Sequence, residues 1–248
     1  MSATEFFDSP QGRRIAYHKS GSIGPTVVFL GGLKSDMSGT KAVHLESWAQ
    51  ARDQRFLRFD YSGHGKSSGN FEDGCIGDWH EDALAAVSVL TEGPLVLVGS
   101  SMGGWQALLL ARSIPTRING LVTIAAAPDF TEDSYWAEFS DEQKFTLKKF
   151  GRVELPSEYG EHYTITRRLI EDGRNQLVLR KPLLLDFPVR FLKGADDAVV
   201  SNETAVRLLE HVDGFDIKLM LIKGKDHRFS DEECLGAIVS NVEAIISA

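Results

Sequence analysis

The stretch VLVGSSMGGW, residues 96–105, decides the fold of this 248-residue chain. An apolar run of four residues enters it, and a helix-like pattern, WQALLLARS, leaves it. Glycines flank two adjacent serines where the expected strand turns sharply into the expected helix. Such a turn lifts one side chain above the edge of a sheet, where it can act as a nucleophile. The spacing of the glycines indicates which serine takes that place.

The pattern Gly-x-Ser-x-Gly fits Ser101, with Gly99 and Gly103 at its two glycine positions. Centred on Ser100, the same pattern finds no glycine at either position. Glycine is required because side chains there would collide with the adjoining strand and helix. Ser101 is therefore the predicted nucleophile, and Ser100 a neighbour on the turn. The alternative is a Gly/Ser-rich turn that only joins the strand to the helix.

A serine nucleophile needs a base, and the chain offers two histidines late in the sequence. His211 lies at the end of a helical pattern, whereas His227 lies in LIKGKDHRFSDEE, after the last apolar strand. A loop at the carboxyl end of a strand can deliver a side chain to the edge that holds Ser101. His227 is therefore the predicted base, and an exposed loop histidine is the alternative.

The acid that orients the base is predicted in VRFLKGADDAVVS, where two adjacent aspartates follow a strand. The frame Gly-x-x-Asp-x-x-Val fits Gly194, Asp197 and Val200, which favours Asp197 and leaves Asp196 to solvent. Asp129, after the strand that ends in IAAAP, is a second acid position on this kind of fold.

The oxyanion hole needs backbone N–H groups aimed at the developing negative charge. One donor is predicted at Met102, the residue after the nucleophile. The other is predicted at Leu33, because Gly31 and Gly32 allow the backbone of that loop to approach closely. A simple tight turn is the alternative explanation for the two glycines.

Strand and helix patterns alternate along the rest of the chain. The predicted strands are Arg14–His18, Thr26–Leu30, Phe56–Phe59, Leu95–Val98, Leu121–Ala125, Val189–Leu192 and Lys218–Ile222. The predicted helices are Ala42–Gln54, Ile76–Leu90, Trp105–Ser113, Glu203–Glu210 and Glu232–Ile246, the last with a capping box from Ser230 to Glu233. This alternation predicts an α/β fold, a mostly parallel, doubly wound sheet with helices on both faces.

The interval from Phe130 to Phe187 interrupts the alternation of strand and helix patterns, because it is rich in charged and aromatic residues and shows no clear strand. It is too long for an ordinary connection, so a small helical lid insertion over residues 130–187 is predicted. Helices are expected around Asp141–Phe150 and Tyr163–Glu171. Trp136 and Phe139 either line an acyl site or pack the lid against the body, and packing is favoured.

Composition indicates a globular chain, which we interpret as one domain over residues 1–248. The hydrophobic fraction is 42% and the net charge is −8, which argues against a nucleic-acid partner. No stretch has the length and apolarity of a membrane span or signal peptide. Cys75 and Cys234 are far apart, so we expect free thiols and a cytoplasmic location. Nothing indicates the oligomeric state.

One segment imitates a nucleotide site. Gly65, Lys66 and Ser67 match the end of a phosphate-binding loop, but the glycine required five residues earlier is Asp60. We therefore reject a nucleotide site. Without a His-Glu-x-x-His pattern or another ligand cluster, we expect no metal and no cofactor.

Four segments together resemble one family. RFDYSGHGKSSG resembles the Asp-x-x-Gly-x-Gly-x-Ser turn of α/β hydrolases. With GGLKSDMSGTKA, VGSSMGGW and GKDHR, it is similar to a mitochondrial subgroup of palmitoyl-protein thioesterases and acyl-glucuronide esterases. The resemblance runs from about Val27 to the last helix and is weakest in the insertion. The targeting extension expected of a mitochondrial member is missing, so we expect a bacterial relative.

The resemblance implies that Ser101, Asp197 and His227 form a catalytic triad that hydrolyses acyl esters or thioesters under a small lid. Where the subgroup has proline and tyrosine in the oxyanion loop, this chain has Gly31 and Leu33. The expected substrate is a small molecule or an acylated protein. Two alternatives are a hydrolase of another bond (lactone, peptide or carbon–carbon) and a ligand-binding protein without catalysis.

Overall fold

The computed structural model describes residues 3–155 and 163–247. The strands are β1 Glu5–Asp8, β2 Arg14–Ser20, β3 Ile23–Leu30, β4 Gln54–Phe59, β5 Leu95–Ser100, β6 Ile118–Ile124, β7 Arg152–Leu155, β8 Tyr163–Thr166, β9 Leu183–Leu184, β10 Val189–Gly194, β11 Val212–Asp213 and β12 Ile217–Ile222. The helices are α1 Thr40–Gln50, α2 Ile76–Leu90, α3 Met102–Ser113, α4 Asp141–Phe150, α5 Arg167–Gly173, α6 Asn202–His211 and α7 Glu232–Ile246. Phe71–Asp73 and Pro115–Arg117 form 3₁₀ turns, and Thr131–Trp136 forms a π-helical turn.

Eight strands form the central sheet, in the order β1-β2-β4-β3-β5-β6-β10-β12. β2 is antiparallel to both β1 and β4, and the remaining neighbours are parallel. The mostly parallel α/β fold predicted from the sequence is therefore confirmed. Because β3, β5, β6, β10 and β12 run in one direction, the loops at their carboxyl ends share one edge of the sheet. β1 was not predicted from the sequence, because its four side chains are largely exposed and show no apolar alternation.

Side chains alternate between two cores along the buried strands. In β3, Val28 and Leu30 pack in the core that includes α2 and α3, whereas Val27 and Phe29 pack in the core of α1 and α7. A strand that is covered on both faces has a continuous run of apolar residues, as the sequence of β3 shows. Among the described residues, no helix combines the length and apolarity needed to cross a bilayer.

The end of α1 and the N-cap of α7 differ from the sequence prediction. α1 ends at Gln50 because a turn follows in which Asp53 has a left-handed backbone, with φ of 53°, before β4 begins. The capping box predicted from Ser230 to Glu233 is wrong. The N-cap of α7 is Asp231, whose carboxylate accepts the Cys234 N–H at 3.1 Å. A carboxylate at a helix N-terminus also interacts favourably with the helix dipole.

The interval 130–187 contains both helices and strands. The predicted helix Asp141–Phe150 is confirmed, and Ser140 caps it in a capping box. The predicted helix Tyr163–Glu171 is wrong in its first half, since Tyr163–Thr166 pairs antiparallel with β7. Two threonines and an isoleucine favour an extended backbone there, and Thr166 caps α5.

Gly103 gives a test of the turn between β5 and α3. An alanine Cβ at this position would lie 2.0 Å from the carbonyl oxygen of Leu30 and 2.6 Å from that of Gly31. Backbone must move to relieve that overlap, so we expect Gly103→Ala to lower the free energy of unfolding by about 3 kcal/mol. Urea denaturation measures the change.

The control is Gly236→Ala in α7, where an added Cβ meets nothing within 4 Å. Alanine has the higher helix propensity, so this variant should gain about 1 kcal/mol. Equal stability of the two variants would contradict the close approach of α3 to β3.

Candidate active site

Four loops at the carboxyl ends of parallel strands meet at one cavity. They follow β3, β5, β10 and β12, and they carry Leu33, Ser101, Asp197 and His227 respectively. These residues lie far apart in the chain, and the parallel arrangement brings them to one edge. Ligands of open α/β sheets bind at this edge.

Ser101 lies on a strained turn between β5 and α3. Its φ of 55° and ψ of −119° are unusual for a residue with a side chain. The turn is held by hydrogen bonds, from Ser101 N–H to the Ile124 carbonyl at 2.9 Å and from Ala127 N–H to the Ser101 carbonyl at 3.1 Å. An alanine Cβ at Gly99 would lie 2.2 Å from the carbonyl oxygen of Gly103, as the glycine spacing implies. The Ser101 side chain does not cap α3, so its Oγ is available to other partners.

Ser101, His227 and Asp197 form a continuous chain of hydrogen bonds. His227 Nε2 lies 3.2 Å from Ser101 Oγ, and His227 Nδ1 lies 2.9 Å from Asp197 Oδ2. A carboxylate only accepts hydrogen bonds, so Nδ1 must carry the proton. Nε2 of the neutral ring is then the acceptor for the Ser101 hydroxyl. This arrangement can remove the serine proton as Oγ attacks a carbonyl carbon.

Asp197 is a buried carboxylate with all its acceptor sites used. Oδ1 accepts the N–H groups of Val199 and Val200, at 2.8 and 2.9 Å. Oδ2 accepts from His227 and from the ammonium of Lys193, which lies 2.9 Å away. Burial alone would raise the pKa of Asp197, but the hydrogen bonds from His227, Val200 and Lys193 outweigh it and hold the pKa well below its usual range.

The low pKa of Asp197 keeps this carboxylate charged at neutral pH. Because folding lowers the pKa, the charged group stabilises the fold above its ordinary pKa. That contribution is lost as the pH falls from the ordinary pKa towards the lower folded value. Neighbouring Asp196 is exposed, as expected for the aspartate that does not contact His227.

The loop that carries His227 is shaped by its own side chains. Asp226 Oδ1 accepts the N–H groups of Arg228 and Phe229, at 3.1 and 3.3 Å. Phe229 is fully buried, which anchors the loop beside the sheet. Lys225 pairs with Asp231 and Glu233 at the start of α7. His227 is thus held between two fixed ends of the loop.

Several backbone N–H groups near Ser101 have no hydrogen-bond partner within residues 3–155 and 163–247. They include those of Leu33 and Met102, and both residues line the cavity. A Cβ added at Gly32 would lie 3.4 Å from the Ser101 Cβ, so this loop passes close to the serine. Unpaired backbone N–H groups beside a nucleophile suit a developing negative charge.

His64 fixes the loop that holds Leu33, a contact that the sequence did not reveal. Its Nε2 accepts the Lys34 N–H at 3.2 Å, while its Nδ1 lies 3.1 Å from the Ser62 carbonyl and donates to it. Burial lowers the pKa of His64 to about 4, so its ring stays neutral and keeps its acceptor at physiological pH. The only signal in the sequence was a histidine within the glycine-rich turn after β4.

Asp129, the second acid position considered from the sequence, has other partners. Its carboxylate accepts the N–H groups of Val178 and Leu179 at 2.8 and 3.0 Å, and lies 3.2 Å from the Arg180 guanidinium. These contacts tie the start of the interval 130–187 to its return segment. His227 Nδ1 donates its hydrogen bond to Asp197 instead.

The cavity above Ser101 has a volume of about 1170 Å³. Its apolar lining includes Leu33, Met102, Phe130, Tyr135, Leu155 and Leu179. Trp136 and Phe139 are not part of the lining. Phe139 is buried, and Trp136 lies against it and under the guanidinium of Arg174. The packing role favoured for these two residues therefore fits the structure.

The segment 65–67, which resembles the end of a phosphate-binding loop, folds around Asp60. Asp60 Oδ2 accepts the Lys66 N–H at 2.8 Å, and the Ser67 hydroxyl donates to the Asp60 carbonyl at 2.7 Å. A carboxylate in that place repels phosphate. The described residues contain no group of three or more His, Cys, Asp and Glu side chains placed to hold a metal ion.

Curated relatives share most of the chain. The palmitoyl-protein thioesterase ABHD10 of Bos taurus is 32% identical over 97% of this chain and 79% of its own length. The human protein of the same name is 31% identical over the same shares. The subgroup resemblance seen in the sequence motifs is therefore confirmed.

These relatives overturn one expectation. Their names describe them as mitochondrial, which contradicts the cytoplasmic location expected for this chain. The cytoplasmic location expected from the sequence is therefore wrong. Two cysteines, both free and buried, indicate only a reducing environment and do not specify which one.

Solved structures agree with the relatives. A hydrolase from Agrobacterium vitis S4 superposes with a TM-score of 0.95, at 37% identity over 98% of both chains. Mouse α/β hydrolase domain-containing protein 10 gives a TM-score of 0.92, at 28% identity over 99% of both chains. The family model of the α/β hydrolase fold matches residues 25–157. With this match and these relatives, the chain belongs to the α/β hydrolase family.

Proposed function

We propose that this chain is a single-domain serine hydrolase that cleaves acyl thioesters and esters, with Ser101 as nucleophile, His227 as base and Asp197 as its orienting acid. The observation that carries the proposal is the hydrogen-bonded chain Ser101–His227–Asp197 beneath a cavity of about 1170 Å³. The names of the curated relatives, palmitoyl-protein thioesterases, support the choice of bond.

The reaction has two halves. Ser101 Oγ attacks the acyl carbon while His227 Nε2 takes the hydroxyl proton, and the carbonyl oxygen becomes negative. The N–H groups of Leu33 and Met102 stabilise that oxyanion. As the tetrahedral intermediate collapses, His227 returns the proton to the leaving sulfur or oxygen. His227 then removes a proton from water, which attacks the acyl-enzyme, and returns that proton to Ser101 Oγ as the acid is released.

Residues 130–187 serve as a lid over the acyl chain. Phe130, Tyr135, Leu155 and Leu179 from this interval line the cavity, and Leu33 and Met102 lie on the side of the sheet. Asp129 anchors the interval through Val178 and Leu179, as described above. The apolar side chains of the lid exclude water from the acyl chain and favour binding of its methylene groups.

The acyl-chain dependence tests this substrate class. We expect kcat/KM to rise by up to about fourfold for each methylene buried, since one buried methylene contributes about 0.8 kcal/mol. The series runs from acetyl to palmitoyl on p-nitrophenyl esters and on the matching acyl-CoA thioesters. A flat series on both leaving groups would contradict an acyl-binding cavity.

A fluorophosphonate probe separates catalysis from ligand binding alone. The probe forms a covalent bond to an activated serine, so mass spectrometry should find it on Ser101 in the folded protein. Folded protein that stays unlabelled and hydrolyses no ester would favour the alternative of a binding protein. Labelling without ester or thioester hydrolysis would favour another scissile bond.

A further inference from the structure

Lys193 is a lysine inside the central sheet. It lies in β10, where every residue is buried, and it is 1% exposed. Lysine is almost never fully buried unless its ammonium is paired. Here Nζ donates to the Val200 carbonyl at 2.5 Å and lies 2.9 Å from Asp197 Oδ2. Its partners thus lie in the loop that carries the proposed catalytic acid.

Lys193 and His227 share one carboxylate oxygen. Both donate to Asp197 Oδ2, while Oδ1 accepts the two backbone N–H groups of the loop. The ammonium therefore fixes the carboxylate in the orientation that His227 requires. It also changes the charge of the group. The pair of a neutral His227 and an ionised Asp197 has a net charge of minus one. Adding the Lys193 ammonium makes the group of three side chains neutral overall.

We propose that Lys193 is a positioning residue which orients Asp197 and, through its positive charge, extends the working range of His227 as a base to lower pH. The inference rests on the proposed function, because it assigns His227 the role of base. A nearby positive charge disfavours a second one, so the Lys193 ammonium opposes protonation of the imidazole. A buried charge does this more strongly than a charge in water.

Other charged groups face this site from several elements. Apart from Asp197, the charged residues that line the cavity with His227 are Lys34, Lys41, Asp133, Glu138, Glu203, Arg207 and Arg228, while Asp196, Lys225 and Asp226 lie close to Asp197 or His227 in the chain. All of them are exposed or half-buried, so solvent and salt screen their effect. Burial lowers the pKa of Lys41, but its ammonium donates to the Arg228 carbonyl and not to the carboxylate. Lys193 differs because it is buried and touches the carboxylate directly.

The test is the pH profile of kcat/KM for Lys193→Gln and Lys193→Met, normalised to active sites titrated with a fluorophosphonate. Glutamine keeps a hydrogen-bond donor and methionine keeps only the volume, but both remove the charge. We expect the acidic limb of both profiles to move to higher pH by roughly 1 unit, which makes both variants about tenfold slower below the limb. Above the limb, the glutamine variant should retain most of its activity.

The matched control is Lys218→Gln, which removes the same charge from an exposed lysine of β12 that pairs with Asp216. Its profile should coincide with that of the unmodified protein. The inference would be overturned if the acidic limb of the pH profile is unshifted in both Lys193 variants. It would also be overturned if neither variant has any active site that reacts with the fluorophosphonate. Either result would mean that the lysine is purely structural. An unmodified protein that neither labels nor hydrolyses would instead refute the proposed function.

Discussion

Ser101→Ala is expected to lower kcat/KM by about 10⁴- to 10⁶-fold on both esters and thioesters. The variant loses the atom that forms the acyl-enzyme, while the cavity and the oxyanion donors remain. The residual rate comes from binding and electrostatic stabilisation of water attack. KM should change little, because the serine hydroxyl contributes little to binding of the acyl chain.

Ser100→Ala is the matched control, since it removes the same hydroxyl from the adjacent residue. Ser100 is the last residue of β5 and occupies a variable position of the Gly-x-Ser-x-Gly pattern, not the position of the nucleophile. It should retain activity within about tenfold and still form the fluorophosphonate adduct on Ser101. The reverse result, an inactive Ser100 variant with an active Ser101 variant, would show that the frame assigns the wrong serine.

The turn at Ser101 could be predicted from the sequence because its glycine pattern is local. Gly99 and Gly103 lie within two residues of Ser101. A Cβ at Gly99 would meet the Gly103 carbonyl within the turn. One at Gly103 would meet the carbonyls of Leu30 and Gly31, which a parallel neighbouring strand brings close. The carboxyl ends of parallel strands could likewise be located from apolar runs. His227 and Asp197 were therefore predicted near Ser101 without knowledge of any side-chain contact.

Contacts across the chain could not be predicted in the same way. His64 holds Lys34 across thirty positions, and nothing in either segment specifies the other. Lys193 offered a weaker hint, a lysine within an apolar strand, but its partner depends on the geometry of the next loop. The antiparallel pair of β7 and β8 could not be predicted, because its aromatic and charged residues occur in helices and strands alike. Secondary-structure propensity is a weak guide where tertiary packing can stabilise either a helix or a strand.

Asp197→Asn should reduce kcat/KM by about 10⁴-fold, since loss of the carboxylate disturbs both charge and tautomer. The amide of this variant can keep its carbonyl towards the N–H groups of Val199 and Val200. Its NH₂ group then faces the ammonium of Lys193 and Nδ1 of His227. The imidazole escapes this clash by moving its proton to Nε2, where it can no longer accept the proton of Ser101. The pre-steady-state acylation rate should fall as far as kcat/KM does.

Asp129→Asn makes the same chemical change at a carboxylate whose side chain is as fully buried as that of Asp197 and which also accepts two backbone N–H groups. Burial raises the pKa of Asp129, whereas that of Asp197 is held low. The variant should lose about 1 to 3 kcal/mol of stability as the lid anchor weakens, and should acylate at a rate within about tenfold of normal. A loss of acylation in Asp129→Asn but not in Asp197→Asn would assign the acid to β6 instead of β10. Loss in both would mean that the anchored lid, and not the acid alone, holds His227 in place, because the Asp129 carboxylate contacts Val178, Leu179 and Arg180 of the return segment.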